Sequence, residues 1–256
     1  MRIPRHSPKE SISRAPLALS IAGSAAIVLL LALAAGLLAA GCGDDGGAGS
    51  PTATPTPDPD RQLLEQLVLA KEDVPDGLQR VDKSFSTNQD IADASANPEA
   101  EMAQLESWGR RLGLGVTYVP LPDPPAGLTI QLVDSSTSLY RSPEGAGASF
   151  ADAAQSAREQ DWAAASPELK ELKVKEIKQP ELADEILWLR ISGFPGEGKS
   201  TLRVDDYVLI RQDLSRGFIR VVWQFAAKDG RDAFQEQAAD LIRRQVDRVS
   251  AALAGG

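Results

Sequence analysis

The chain has 256 residues, a formal net charge of −9 and 43% hydrophobic residues, of which few are aromatic; this composition suits a folded domain whose core rests on Leu, Val, Ile and Ala. Its acidic balance repels phosphate backbones and anionic surfaces, which argues against nucleic-acid binding. The sole histidine, His6, and the sole cysteine, Cys42, lie close to the N-terminus, so the body of the chain has no Ser-His-Asp or Cys-His chemistry, no intrachain disulfide and none of the commonest transition-metal ligands.

The first element is a leader. Residues 15–41 carry no charge, their densest run is Ala25 to Leu33, and Arg2, Arg5, Lys9 and Arg14 precede them, the layout of a signal peptide. The run ends Leu37-Leu-Ala-Ala-Gly-Cys42. This resembles the lipobox of bacterial lipoproteins, with Ala39 where Leu is usual. The resemblance implies cleavage before Cys42, acylation of its sulfur with palmitate-type chains, and anchoring to the cell membrane on the extracytoplasmic side. The residues alone leave a second arrangement open, an uncleaved transmembrane anchor, since about 20 apolar residues span a bilayer and the basic flank would again leave the remainder outside. Setting residues 1–41 aside removes four basic residues and one acidic residue and takes the charge from −9 to −12. Residues 42–60 follow as a Gly-rich and then Pro/Thr-rich linker, its second part extended at about 3.1 Å per residue.

Residues 61–256 form the expected domain. Leu63, Leu64, Leu67 and Val68 recur at helical spacing until Val74-Pro-Asp-Gly77 interrupts them. A strand is expected over 78–85. Asn97 before Pro98, with Glu99 and Glu101 in the first turn, marks a helix start. Met102, Leu105, Trp108 and Leu112 continue as one stripe, with Arg110 and Arg111 in the last turn and Gly113 ending the helix. Strands are expected at 116–119 and 128–133, then a helix over 148–162. Four strand-like runs follow, at 172–177, 186–191, 202–210 and 219–225, with a turn at Ser215-Arg-Gly217. The charge density of the first suits an edge strand. A long helix over 231–253 closes the chain, with Phe234, Ala238, Leu241, Ile242, Val249 and Leu253 inward. The fold class is therefore α+β: one domain, an antiparallel meander with helices packed on one face.

The stretch Leu69-Ala-Lys-Glu-Asp-Val-Pro-Asp-Gly77, followed by a meander and a terminal helix, resembles a group of exported actinobacterial and Chloroflexi-type lipoproteins. That group is similar in pattern to the extracytoplasmic sensor domains of mycobacterial Ser/Thr kinases and to PsbP-like lipoproteins. The resemblance implies a non-catalytic domain that binds a small ligand or an envelope protein partner.

Three motifs need weighing. Gly193-Phe-Pro-Gly-Glu-Gly-Lys199-Ser200 satisfies the P-loop pattern, but a P-loop must open a helix. Residues 201–210 alternate as a strand, so a Gly/Pro hairpin without nucleotide is expected. Asp184-Glu185 and Asp205-Asp206 are adjacent carboxylates, and neighbours on a strand point to opposite faces. A hydrolase of envelope glycans using two separated carboxylates is the alternative function. Trp188 lies opposite Leu187, Leu189 and Ile191, which makes it the candidate exposed ligand contact, while Trp108 and Trp223 belong to apolar stripes. No catalytic residue, cofactor or metal ligand is assigned.

Overall fold

The computed structural model describes residues 58–196, 199–226 and 233–254. The leader, Cys42 and the linker up to residue 57 lie outside the described residues. No helix among the described residues is long and apolar enough to cross a membrane.

The first helix, α1 (Pro59–Leu67), begins inside the stretch expected to be linker: Asp58 caps it through its carboxylate and Pro59 occupies the first turn, where a missing N–H costs nothing. Gly77 adopts a positive φ of 88°, and a Cβ there would strike Pro125, so the turn into β1 (Leu78–Ser86) requires glycine. The short α2 (Asn88–Asp93) is held by a reciprocal cap between Thr87 and Asp90. Helix α3 (Pro98–Ser107) starts as expected, with the Asn97 side chain accepting from the Ala100 N–H.

Its end differs from the expectation. Gly109, at φ 67°, stops the helix four residues early, and Arg110 opens β2 (Arg110–Pro120). Leu112, Leu114, Val116 and Tyr118 are then buried on one face, a period of two rather than 3.6. Strand β3 (Ile130–Tyr140) runs well past the expected 133, through Asp134-Ser-Ser-Thr-Ser138. Its Ser135 and Thr137 are buried because Gln245 satisfies both: Ser135 Oγ donates to Gln245 Oε1 at 2.8 Å, and Gln245 Nε2 donates to Thr137 Oγ1 at 3.1 Å.

Ser142 caps α4 (Pro143–Glu159), and Asp161 caps the single turn α5 (Trp162–Ala165). Four strands follow: β4 (Leu169–Ile177), β5 (Glu185–Pro195), β6 (Thr201–Gln212) and β7 (Ser215–Ala226). The β6–β7 turn uses Asp213, at φ 50°, so the expected turn residues 215–217 lie in the strand. Helix α6 (Ala233–Ala254) closes the chain.

All pairings are antiparallel, in the order β1-β2-β3-β7-β6-β5-β4. Two meanders thus meet where β3 pairs with β7, and the charged β4 is an edge strand as expected. The α+β class holds, but the helices occupy both faces rather than one. Helices α1 and α6 cover Val116, Tyr118, Val133, Ile219, Val221 and Trp223. Helix α4 covers the opposite sides of β5, β6 and β7, over Leu187, Leu189, Ile191 and Leu209.

Candidate functional site: a groove beside helix α4

The register lays three cross-strand rows on the α4 face. Thr117, Asp134, Arg220, Tyr207 and Leu189 form one; Gly115, Ser136, Phe218, Leu209 and Leu187 the next; Gly113, Ser138, Arg216, Arg211 and Glu185 the third. The β5–β6 ends of these rows are under α4. On β2 the rows end in Thr117, Gly115 and Gly113; the Arg110 guanidinium fills the space above Gly113, whereas Gly115 meets only Ser136. A groove of about 350 Å³ lies beside the helix, lined from the rows by Asp134, Ser136, Tyr207, Arg216, Phe218 and Arg220, and further by Ala153 of α4 and Trp162 of α5. That volume lies at the lower end of small-ligand sites.

Its wall is aromatic. The Trp162 and Tyr207 rings meet edge to face at 5.4 Å between centroids, and Tyr207 and Phe218 at 4.8 Å. Trp162 is fixed by its Nε1–H, which donates to the Ala157 carbonyl at 3.1 Å. Tyr207 is 8% exposed, and its hydroxyl makes no hydrogen bond among the described residues. Burial pushes that hydroxyl above the usual tyrosine range, against the pull of the Arg216 and Arg220 charges.

The charges divide into paired and unpaired. Arg220 donates through Nε to both Asp205 oxygens, at 3.0 and 3.1 Å, and through Nη2 to Oδ2 at 2.6 Å. Burial alone would lower its pKa; the hydrogen bonds and charge of Asp205 more than offset this and raise it. Asp134 accepts from Thr117 Oγ1 at 2.8 Å, and burial lifts its carboxyl above the ordinary range despite Thr117 and Arg220. Arg216 differs. Its Nη1 donates to Ser149 Oγ at 2.9 Å, and no carboxylate among the described residues lies in ion-pair range of it.

No protein-family model matches the chain, and no curated protein matches its sequence. Among solved structures it is similar to the extracellular domain of PknH from Mycobacterium tuberculosis. The two share 10% identity over 74% of this chain and 96% of that one, with a TM-score of 0.47.

The residues singled out in the sequence fall largely elsewhere. Trp188 sits opposite Leu187 and Leu189 as expected, but it is 1% exposed, because α6 covers that face. Its Nε1–H donates to Asp206 Oδ1 at 2.7 Å, so it is a core residue and not an exposed contact. Asp205 and Asp206 do point to opposite faces, yet neither is a solvated surface acid. Asp206 accepts from Trp188, Trp223 and Arg190 inside the core, and Asp205 lines the groove. Asp184 and Glu185 both pair with Arg211. Trp223 is core as expected, and Trp108 is only half-buried. The P-loop-like segment joins two antiparallel strands, β5 and β6, and Lys199 pairs with Glu171; its residues 197 and 198 lie outside the described residues. The groove was signalled by Arg216, Phe218 and Arg220, which alternate with the apolar face of β7 and so share the other one.

Proposed function

We propose that the protein is a membrane-tethered lipoprotein whose domain binds a small ligand, or a partner presenting one, outside the cytoplasm without transforming it. The reading is carried by the groove beside α4: an aromatic wall with a tyrosine hydroxyl that makes no hydrogen bond and a guanidinium that has Ser149 but no carboxylate as partner among the described residues. Such sites fix ligands by a few placed polar groups within an apolar lining. The leader and Cys42 support the tether.

The groove also contains two carboxylates, Asp134 and Asp205, the ingredients of the alternative hydrolase. Asp205 is held on both oxygens by Arg220, which leaves it poorly suited to act as a nucleophile or base. Binding is tested by quenching of Trp162 fluorescence with a panel of envelope-derived small molecules. Ser136→Leu, which fills the groove floor, is expected to abolish the response. A ligand that binds wild type and Ser136→Leu equally would place binding elsewhere, and turnover of an envelope glycan lost in Asp134→Asn would favour the hydrolase.

A further inference from the structure

Arg216 is the cation of the groove that the protein does not neutralise, and its surroundings sharpen this. Directly opposite it on β6 stands Arg211, a like-charge pair that is unfavourable in a sheet. Arg211 has Asp184 and Glu185 as counter-ions, and Arg220 has Asp205. The 3% exposed Arg110 also feels the Arg216 charge, which adds to burial in bringing its guanidinium down to about 10. Glu101 of α3 feels Arg216 as well, but outside ion-pair range. Among the described residues Arg216 thus stands at one end of an aromatic-lined groove with Ser149 as its hydrogen-bond partner and no direct counter-ion.

Arg211 and Arg216 face two carboxylates at this end, Asp184 and Glu185, and both of these pair with Arg211, so among the described residues Arg216 has no direct counter-ion. Asp134 lies two rows away, about 13 Å along the strand at 3.3 Å per residue; Tyr207 shares that row, but its ring leans to Phe218 of the middle row, 4.8 Å between centroids, and its hydroxyl feels the Arg216 charge. An incoming carboxylate would supply the direct counter-ion that Arg216 lacks, and one is enough for one guanidinium. The neighbouring wall of Trp162, Tyr207 and Phe218 suits a flat ring, since aromatic pairs gain beyond simple area burial.

We infer, building on the ligand-binding reading above, that the groove takes a small aromatic monocarboxylate. Its ring lies against Trp162, Tyr207 and Phe218, and its carboxylate rests on Arg216, with the Tyr207 hydroxyl as a second donor.

The test is calorimetric titration of the full chain in lipid nanodiscs, with empty nanodiscs subtracted, using 2-naphthoate, its neutral counterpart 2-naphthamide, the cation 2-naphthylmethylammonium, and decanoate. Naphthoate is expected to bind at least about tenfold more tightly than the amide, the value of one charge-assisted hydrogen bond, and than decanoate. Arg216→Gln should remove the advantage over the amide while leaving amide binding within about twofold, and Tyr207→Phe should reduce it. The amide control shows in the same experiment that each variant is folded. Equal binding of naphthoate and amide, or preference for the ammonium probe, would overturn the anion assignment and leave a ligand-binding groove standing. Equal binding of decanoate would overturn the ring. Binding by none of the four would overturn the inference, while the response of the wider panel, with Ser136→Leu as control, decides the reading beneath it.

Discussion

Replacing Asp206 by asparagine tests what holds α6 to the sheet. The carboxylate is 0% exposed and accepts on both oxygens: Oδ1 from Trp188 Nε1 and Arg190 Nε, each at 2.7 Å, and Oδ2 from Arg190 Nη2 at 3.0 Å and Trp223 Nε1 at 3.2 Å. Arg190 in turn donates to Gln235 of α6 at 3.1 Å and lies over the Phe234 ring, 4.5 Å from its centroid. Whichever way the asparagine amide turns, its nitrogen faces one indole N–H and one guanidinium N–H, so two donors lose their acceptor and Arg190 loses its counter-charge. Removing one partner of a buried ion pair costs about 3–5 kcal/mol. At about 2–4 °C per kcal/mol for a domain of this size, Tm falls by about 6–20 °C. The assay is a circular dichroism melt of the full chain in detergent at pH 7. A double variant, Arg190→Met with Asp206→Leu, should recover part of the loss, since it removes the orphaned guanidinium but leaves both indoles without an acceptor. A fall of less than about 3 °C in Asp206→Asn would refute the reasoning.

Three other expectations follow from the site and the leader. Asp134 has its carboxyl raised above 3.8 by burial, so the folded state binds the proton more tightly than the unfolded chain. Its contribution to stability is therefore largest at low pH and falls as pH rises from 3.8 through the folded value; Asp134→Asn should raise Tm at pH 7 and flatten the melt-versus-pH profile over that window, and an unchanged profile would contradict it. Lys199→Ala removes only an exposed pair with Glu171, of the kind that contributes about 0–1 kcal/mol; Tm should stay within about 2 °C and neither variant nor wild type should bind ATP at micromolar concentration by calorimetry. Cys42→Ala should abolish lipid modification in mass spectrometry of the membrane-extracted protein; a wild-type chain that still begins at Met1 with a bare thiol would show a transmembrane anchor instead.

The elements that were legible in the sequence are those whose signals do not overlap. Asn97 and Pro98 fix the start of α3, and the charged alternation of 172–177 marks an edge. The end of α3 was misplaced because Arg110 and Arg111 look like basic residues complementing a helix C-terminus, while the strand they open has its own period of two. The second half of β3 was missed for a different reason. Asp134 to Ser138 has the composition of a loop, and only distant partners make Ser135 and Thr137 tolerable in a core: Gln245, more than a hundred residues on, and the backbone of Leu67 and Leu69. Trp188 shows the limit of alternation as a guide. Period two assigns a side chain to a face but says nothing about what covers that face, and here both are covered. The groove as a whole is not legible beyond the Arg216, Phe218 and Arg220 face of β7, because the rest of its lining comes from segments far apart in the chain, such as Ser136 of β3, Trp162 of α5 and Tyr207 of β6.

The junction between β3 and β7 has a consequence for how the molecule comes into being. A chain emerging N-terminus first exposes β1, β2 and β3 as a finished hairpin stack whose last edge has no neighbour until Ser215–Ala226 arrives. The α6 residue that quiets Ser135 and Thr137 arrives later still. The sheet therefore cannot be completed progressively as the chain is made; it closes as a zipper whose two halves wait for the final stretch. In the interval β3 is an open template for pairing with other chains. Truncation anywhere before β7 should accordingly yield aggregates in place of a smaller domain.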